Sequence, residues 1–94
     1  MGAISRVFNS FSRQDDRYFR TPNLHLATIL FVQGFPLVNV DRTDRANCQF
    51  VFRNTYDLQE MTERFNSKKP IFVEARKFIA SWKLLRSTMG EDRF

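Results

Sequence analysis

The chain of 94 residues holds one histidine, His25, and one cysteine, Cys48, and those two residues set a low ceiling on its chemistry. A Ser-His-Asp or Cys-His arrangement would have to be built on His25, and a zinc site of thiolates and imidazoles would lack ligands. No G-x-S-x-G, HExxH, P-loop or CxxC motif is present. His25 therefore reads as a partly exposed helix residue. Carboxylates occur in pairs: Asp15 with Asp16, Asp41 with Asp44, Glu60 with Glu63, and Glu91 with Asp92. Acid-base catalysis or Mg²⁺ binding would need such groups to converge in a cleft with perturbed pKa values, and the polar, turn-like stretches around these pairs predict solvated charges. The expectation is a protein that is not an enzyme and takes no cofactor and no metal.

The remaining chemistry is charge. The net charge is +5, and it is unevenly placed. From Arg64 to Arg86 seven cations face one anion, Glu74, a local net of +6. Between Asp41 and Glu63 three arginines face five carboxylates, a net of −2. A basic end of this kind attracts polyanions or acidic protein surfaces. Lys68, Lys69, Arg76, Lys77, Lys83 and Arg86 are the candidate binding residues, since cations spaced along one helix and its preceding loop can neutralise several phosphates and release their counterions. The same residues could equally form a solvated helix face. The expected function is a small basic protein contacting DNA or RNA phosphates. The alternative is a protein-interaction module, an inhibitor or accessory subunit, docking on an acidic protein. A homodimer or a place in a larger complex is compatible with either.

Apolar periodicity supplies the elements that would position these charges. Arg17-Tyr18-Phe19-Arg20 reads as a short first strand. Thr21-Pro22 reads as an N-cap and first helical residue, opening a helix over 22–33. Leu24, Ala27, Leu30 and Phe31 form its stripe, widened by Leu26 and Ile29, and Gly34 stops it. Residues 35–40 and 48–53 read as a β-hairpin around a polar tip, with Cys48, Phe50 and Phe52 alternating onto one face. Phe50, Phe52, Tyr18 and Phe19 would be stacking platforms on an open sheet, but helices need a sheet face to pack on, so burial is expected.

Asn54 predicts an N-cap for a helix over 55–66, with Leu58, Met61 and Phe65 inward and Glu60 paired with Arg64. Ile71-Phe72-Val73 suggests a short edge strand. A final helix over 73–89 carries the clearest stripe: Ala75, Phe78, Ile79, Trp82, Leu85 and Met89. A two-stranded hairpin alone is marginal in water, so a further strand from 17–21 or 71–73 is expected. The fold class is thus α+β, a small single domain of strand, helix, β-hairpin, helix, short strand and helix, with the helices packed on a small antiparallel sheet.

Its extent reads as an arm over 1–16, a domain over 17–90 and a tail over 91–94. Within the arm Val7, Phe8 and Phe11 could form one amphipathic turn. Eleven phenylalanines supply the bulk that so short a chain needs for a core. With one cysteine no intrachain disulfide can form, which suits a reducing compartment. Met1-Gly2 begins a myristoylation-like pattern that Arg6 breaks. The longest apolar run, Leu24 to Val32, is far below the ~20 residues that cross a bilayer. A cytoplasmic protein with no membrane partner is expected.

Leu24-His25-Leu26-Ala27 with Gly34-Phe35, then Val51-Phe52, Asp57-Leu58, and Val73-Glu74-Ala75-Arg76-Lys77-Phe78 with Trp82-Lys83-Leu84-Leu85, resemble a family of short bacterial and phage proteins catalogued as a domain of unknown function. The resemblance covers about residues 18–90. It implies a helix, a hairpin ending in a Phe-Val-Phe-like strand, then helices with an Ala-Arg-Lys-Phe step and a Lys-before-Leu element, here Lys83 before Leu84-Leu85. It implies a bacterial or phage setting and this architecture, and supplies no activity.

Overall fold

The computed structural model describes residues 16–44 and 46–89. The expected arm, apart from Asp16, and the expected tail lie outside the described residues, and so do Val7, Phe8 and Phe11. In chain order the elements are β1 (Tyr18–Thr21), α1 (Leu24–Val32), β2 (Leu37–Asp41), β3 (Gln49–Arg53), α2 (Tyr56–Asn66) and α3 (Ala75–Thr88). The three strands form one antiparallel sheet in the order β1-β3-β2, and the three helices pack on it.

β3 takes the central place because it is the strand whose residues suit burial on both faces. Phe50 and Phe52 are fully enclosed beneath the helices, and Val51, pointing the other way, is also buried. Phe19 stands beside Phe52 and Thr21 beside Phe50 on β1. On β2 Leu37 pairs with Phe52 and Val40 with Phe50, three positions apart rather than two, because one extra residue enters between Leu37 and Asn39. This bulge turns both Leu37 and Val40 to the core and leaves Val38 exposed on an edge strand. On the opposite sheet face the Arg20 guanidinium meets Asp41 at 3.0 Å across β3. Asp41 also accepts the Thr43 N–H at 3.0 Å. The Thr43 backbone and side-chain hydrogen bonds, with Arg20, hold its carboxyl at about 2.

α1 is apolar nearly all round, and its buried residues Leu26, Ala27, Thr28 and Leu30 contact the sheet side and α3. Thr28 is fully buried without loss because its hydroxyl donates to the Leu24 carbonyl at 2.7 Å. The helix starts later than expected. Thr21 is committed to β1, so Asn23 is the N-cap, its side chain accepting the Leu26 N–H at 3.0 Å, and Pro22 lies before the helix. Gly34, at φ +99°, ends α1 as expected: its N–H bonds Phe31 O and the Phe35 N–H bonds Leu30 O, both at 3.1 Å. That turn occupies Phe35, so β2 begins at Leu37.

α2 has Thr55 as its N-cap, accepting the Leu58 N–H at 3.1 Å. The expected cap, Asn54, instead donates to the Asp16 carbonyl and accepts from Gln59, tying the sheet end to the helix. Leu58 is fully buried, with Met61 and Phe65 packed beside it. The expected Glu60–Arg64 pair is replaced, since Arg64 donates to the Pro70 carbonyl at 3.3 Å.

The same two-bond closure that ends α1 also ends α2, but with a lysine at the left-handed position: Lys68 has φ +61°, its N–H bonds Phe65 O, and the Lys69 N–H bonds Arg64 O. An L side chain there is strained where glycine is not. Lys68→Gly is therefore expected to raise unfolding stability by about 0.5–1 kcal/mol, read as a higher urea midpoint at unchanged slope. A lower midpoint would mean that the lysine side chain itself stabilises the turn.

Residues 71–73 are not a strand. Their segment crosses the helical layer, where the Phe72 carbonyl accepts from Gln33 at 3.4 Å and Pro70 O from Arg64, and it never reaches a sheet edge. α3 accordingly starts at Ala75 with Glu74 as its cap, accepting the Lys77 N–H at 2.9 Å. Its inward face is rotated from the expected stripe. Phe78, Ser81, Trp82, Leu85, Thr88 and Met89 turn inward, while Ala75 and Ile79 face solvent. Leu85 is the fully buried anchor, and Arg42 from the hairpin donates to Thr88 O at 2.9 Å, satisfying a carbonyl of the last turn.

Candidate nucleic-acid interface

Helix α3 carries Arg76, Lys77, Lys83 and Arg86 and no acidic residue, and all four are exposed. At 100° per residue Arg76, Lys83 and Arg86 share a sector of about 80°, opposite Leu85, and Lys77 lies on the flank beside Leu84. From Arg76 to Arg86 the sector runs about 15 Å along the axis. A nucleic-acid duplex presents one charge per about 1.7 Å, so several phosphates fall within its reach. Arg76, Lys77 and Lys83 are in no ion pair with another described residue. The Arg86 guanidinium lies over the Trp82 ring, 5.1 Å from its centroid, one turn away.

Lys68 and Lys69 are exposed in the turn between α2 and α3, so the six candidates fall into two groups. Lys68, Lys69, Arg76 and Lys77 bracket the start of α3; Lys83 and Arg86 occupy its second half. Lys69 differs from the rest. It opens, with Arg64, onto a cleft of about 550 Å³ that Asp57, Glu60 and Glu63 also line, together with Phe35 and Met61. Its charge is opposed there, while that of α3 is not.

Two of the acidic pairs, Asp41 with Asp44 and Glu60 with Glu63, are engaged in local hydrogen bonds, while Asp15, Glu91 and Asp92 lie outside the described residues. Asp44 accepts from Ala46 N–H and the Asn47 amide, which hold its carboxyl below the usual range and stabilise the hairpin turn. Glu63 accepts from Ser67, and Glu60 accepts from Tyr56 one turn earlier, raising the phenol's pKa. Burial pushes the Cys48 thiol up, which disfavours a thiolate. His25 is exposed on α1. Among the described residues no group of three or more His, Cys, Asp or Glu side chains could hold a metal ion, and no helix is long and apolar enough to cross a membrane.

Sequence reasoning missed the exposed apolar residues around this surface. Phe72 is 88% exposed, and Ile79 and Leu84 are about half exposed on α3. A strand reading of 71–73 hid Phe72. The signal against that reading was Pro70 and the capping Glu74, which leave only three residues between a turn and a helix. Of the four sheet aromatics for which burial was expected over stacking, Phe50 and Phe52 are core, Phe19 packs against it, and Tyr18 lies on the outer sheet face with Arg17 5.8 Å over its ring.

Residues 16–90 match the family described as "Domain of unknown function (DUF5659)". The chain belongs to this family. The matched region contains all six elements, the six candidate cations and Phe72, so the basic surface lies within the family domain and residues 1–15 lie outside it. The architecture that the resemblance implied, helix, hairpin and two further helices, is the one described above. No curated protein and no solved structure matches the chain.

Proposed function

We propose that this DUF5659 domain is a small, non-enzymatic, cytoplasmic binding protein that contacts nucleic-acid phosphates through the exposed face of α3. The observation that carries this reading is a helix with four exposed cations and no anion, three of them outside any ion pair with a described residue. Solubility alone does not call for cations of one sign on one face, since mixed charge serves it as well. If all six cations engage, the logarithm of affinity should fall with the logarithm of salt at a slope of about −5 for duplex DNA and about −4 for a single strand. Titration of short DNA and RNA at several salt concentrations measures it. No binding at low salt, or binding indifferent to salt, rules the reading out.

A second reading has its own support. Ile79 and Leu84 expose apolar surface beside the same cations, a combination that also suits an acidic protein partner with apolar anchors. On this reading the domain is a bacterial or phage inhibitor or accessory subunit. A pull-down from nuclease-treated host lysate separates the two, because only protein contact retains a partner there.

A further inference from the structure

We infer that Phe72 is a base-stacking residue, and that the ligand of the basic surface is therefore a single strand with accessible bases rather than a closed duplex. The inference rests on the phosphate-binding reading above and assigns it a substrate class. Of the eight phenylalanines among the described residues, seven are buried or half-buried, and Phe72 alone is exposed, at 88%. Its neighbours Ile71 and Val73 are half-buried. In extended chain successive side chains point opposite ways, so inward anchoring of those two directs the Phe72 ring outward.

The backbone beneath the ring is held. Pro70 fixes one end, its carbonyl taken by Arg64; the Phe72 carbonyl accepts from Gln33; and Glu74 closes the other end as the α3 cap. A ring displayed on a fixed support loses little freedom on binding.

The surroundings decide what the ring meets. Lys68 and Lys69 precede it by four and three residues, and Arg76 and Lys77 follow it by four and five, all of them exposed. Glu74, the one anion between Lys68 and Lys77 in the chain, directs its carboxylate to the Lys77 N–H, and Asp57, Glu60 and Glu63 lie on the cleft that Lys69 lines. A ligand that satisfies both features carries repeated negative charge and flat aromatic faces next to it. A single-stranded nucleic acid has both, and a duplex keeps its base faces stacked inside. The ring supplies stacking, with Lys68 holding the backbone on one side and Arg76 and Lys77 on the other.

The test compares wild type, Phe72→Ala and Phe72→Trp on a fluorescein-labelled 12-nucleotide strand and on its duplex. Phe72→Ala is expected to weaken single-strand binding roughly 5- to 100-fold. Duplex binding and both salt slopes should stay unchanged, because a phenyl ring releases no counterions. Phe72→Trp is expected to keep single-strand affinity and to show indole quenching on binding. Equal unfolding midpoints for all three establish that the side chain is dispensable for folding. If Phe72→Ala binds the strand as wild type does, the inference is overturned while salt-dependent binding still supports the phosphate reading. Equal losses on strand and duplex overturn it too, as does a Phe72→Ala that keeps the strand but loses a protein from nuclease-treated lysate. If wild type binds neither ligand at low salt, both readings fall.

Discussion

Phe52→Ala is expected to lower the unfolding stability by about 3–5 kcal/mol. Its ring is fully enclosed at the centre of the sheet, flanked by Phe19 on one strand and Leu37 on the other, and covered by the helices. Truncating a buried phenylalanine costs about 3–5 kcal/mol, the transfer of the ring plus the cavity left behind. A domain of this size has about 5–14 kcal/mol in all, so the loss is a large share of it. Far-UV circular dichroism and urea unfolding measure the effect. A midpoint shift worth less than about 1 kcal/mol would mean that β3 is not the keystone of this core. Phe72→Ala, which removes the same side chain from the surface, is the matched control.

Reversing Arg76 and Lys83 together, as Arg76→Glu and Lys83→Glu, is expected to weaken nucleic-acid binding roughly 100-fold or more at about 50 mM salt. Each phosphate contact is worth about a factor of ten there relative to 1 M salt, and a carboxylate adds repulsion to the contact removed. The salt slope should fall by about two in magnitude. Both residues are exposed and outside any ion pair with a described residue, so the thermal midpoint should move little. Arg86 is a poorer choice, since it lies over Trp82 and its loss would confuse packing with binding. Unchanged affinity in the doubly reversed protein would remove α3 from the interface.

Where a local rule met no competitor, the chain was readable. The alternation of Cys48, Phe50 and Phe52 gave the buried face of β3, Gly34 gave the end of α1, and Leu58 with Met61 and Phe65 gave the packed side of α2. The errors fall where one residue had two possible uses. Thr21 and Asn54 are both good caps, but Thr21 was needed in the ladder of β1 and Asn54 was needed to hold Asp16, so each helix took its cap one or two residues later. The bulge at Val38 has no sequence signature of its own, and it appears only once both Leu37 and Val40 have to reach the same core.

α3 was misoriented because Ala75 and Ile79 fit the stripe as well as Ser81 and Thr88 do by spacing, and only the direction of approach to α1 chooses between them. For the candidate site, the concentration of charge was plain in the residues. Its division was not: Lys69 shares a cleft with three carboxylates through tertiary placement of α2, and the exposure of Phe72 depends on a segment that runs over helices instead of joining the sheet.

The strand order has a consequence for how the chain reaches this shape. β2 and β3 are joined by a short hairpin, but β1 must wait for partners 29 to 35 positions downstream, from Thr21 with Phe50 to Tyr18 with Arg53. Closing that separation costs entropy before any contact rewards it. During synthesis from the ribosome the first strand therefore emerges with its Phe19 side uncovered, and it can dock only after the middle strand has followed. The last of the three strands to join the sheet is thus the earliest of them in the chain.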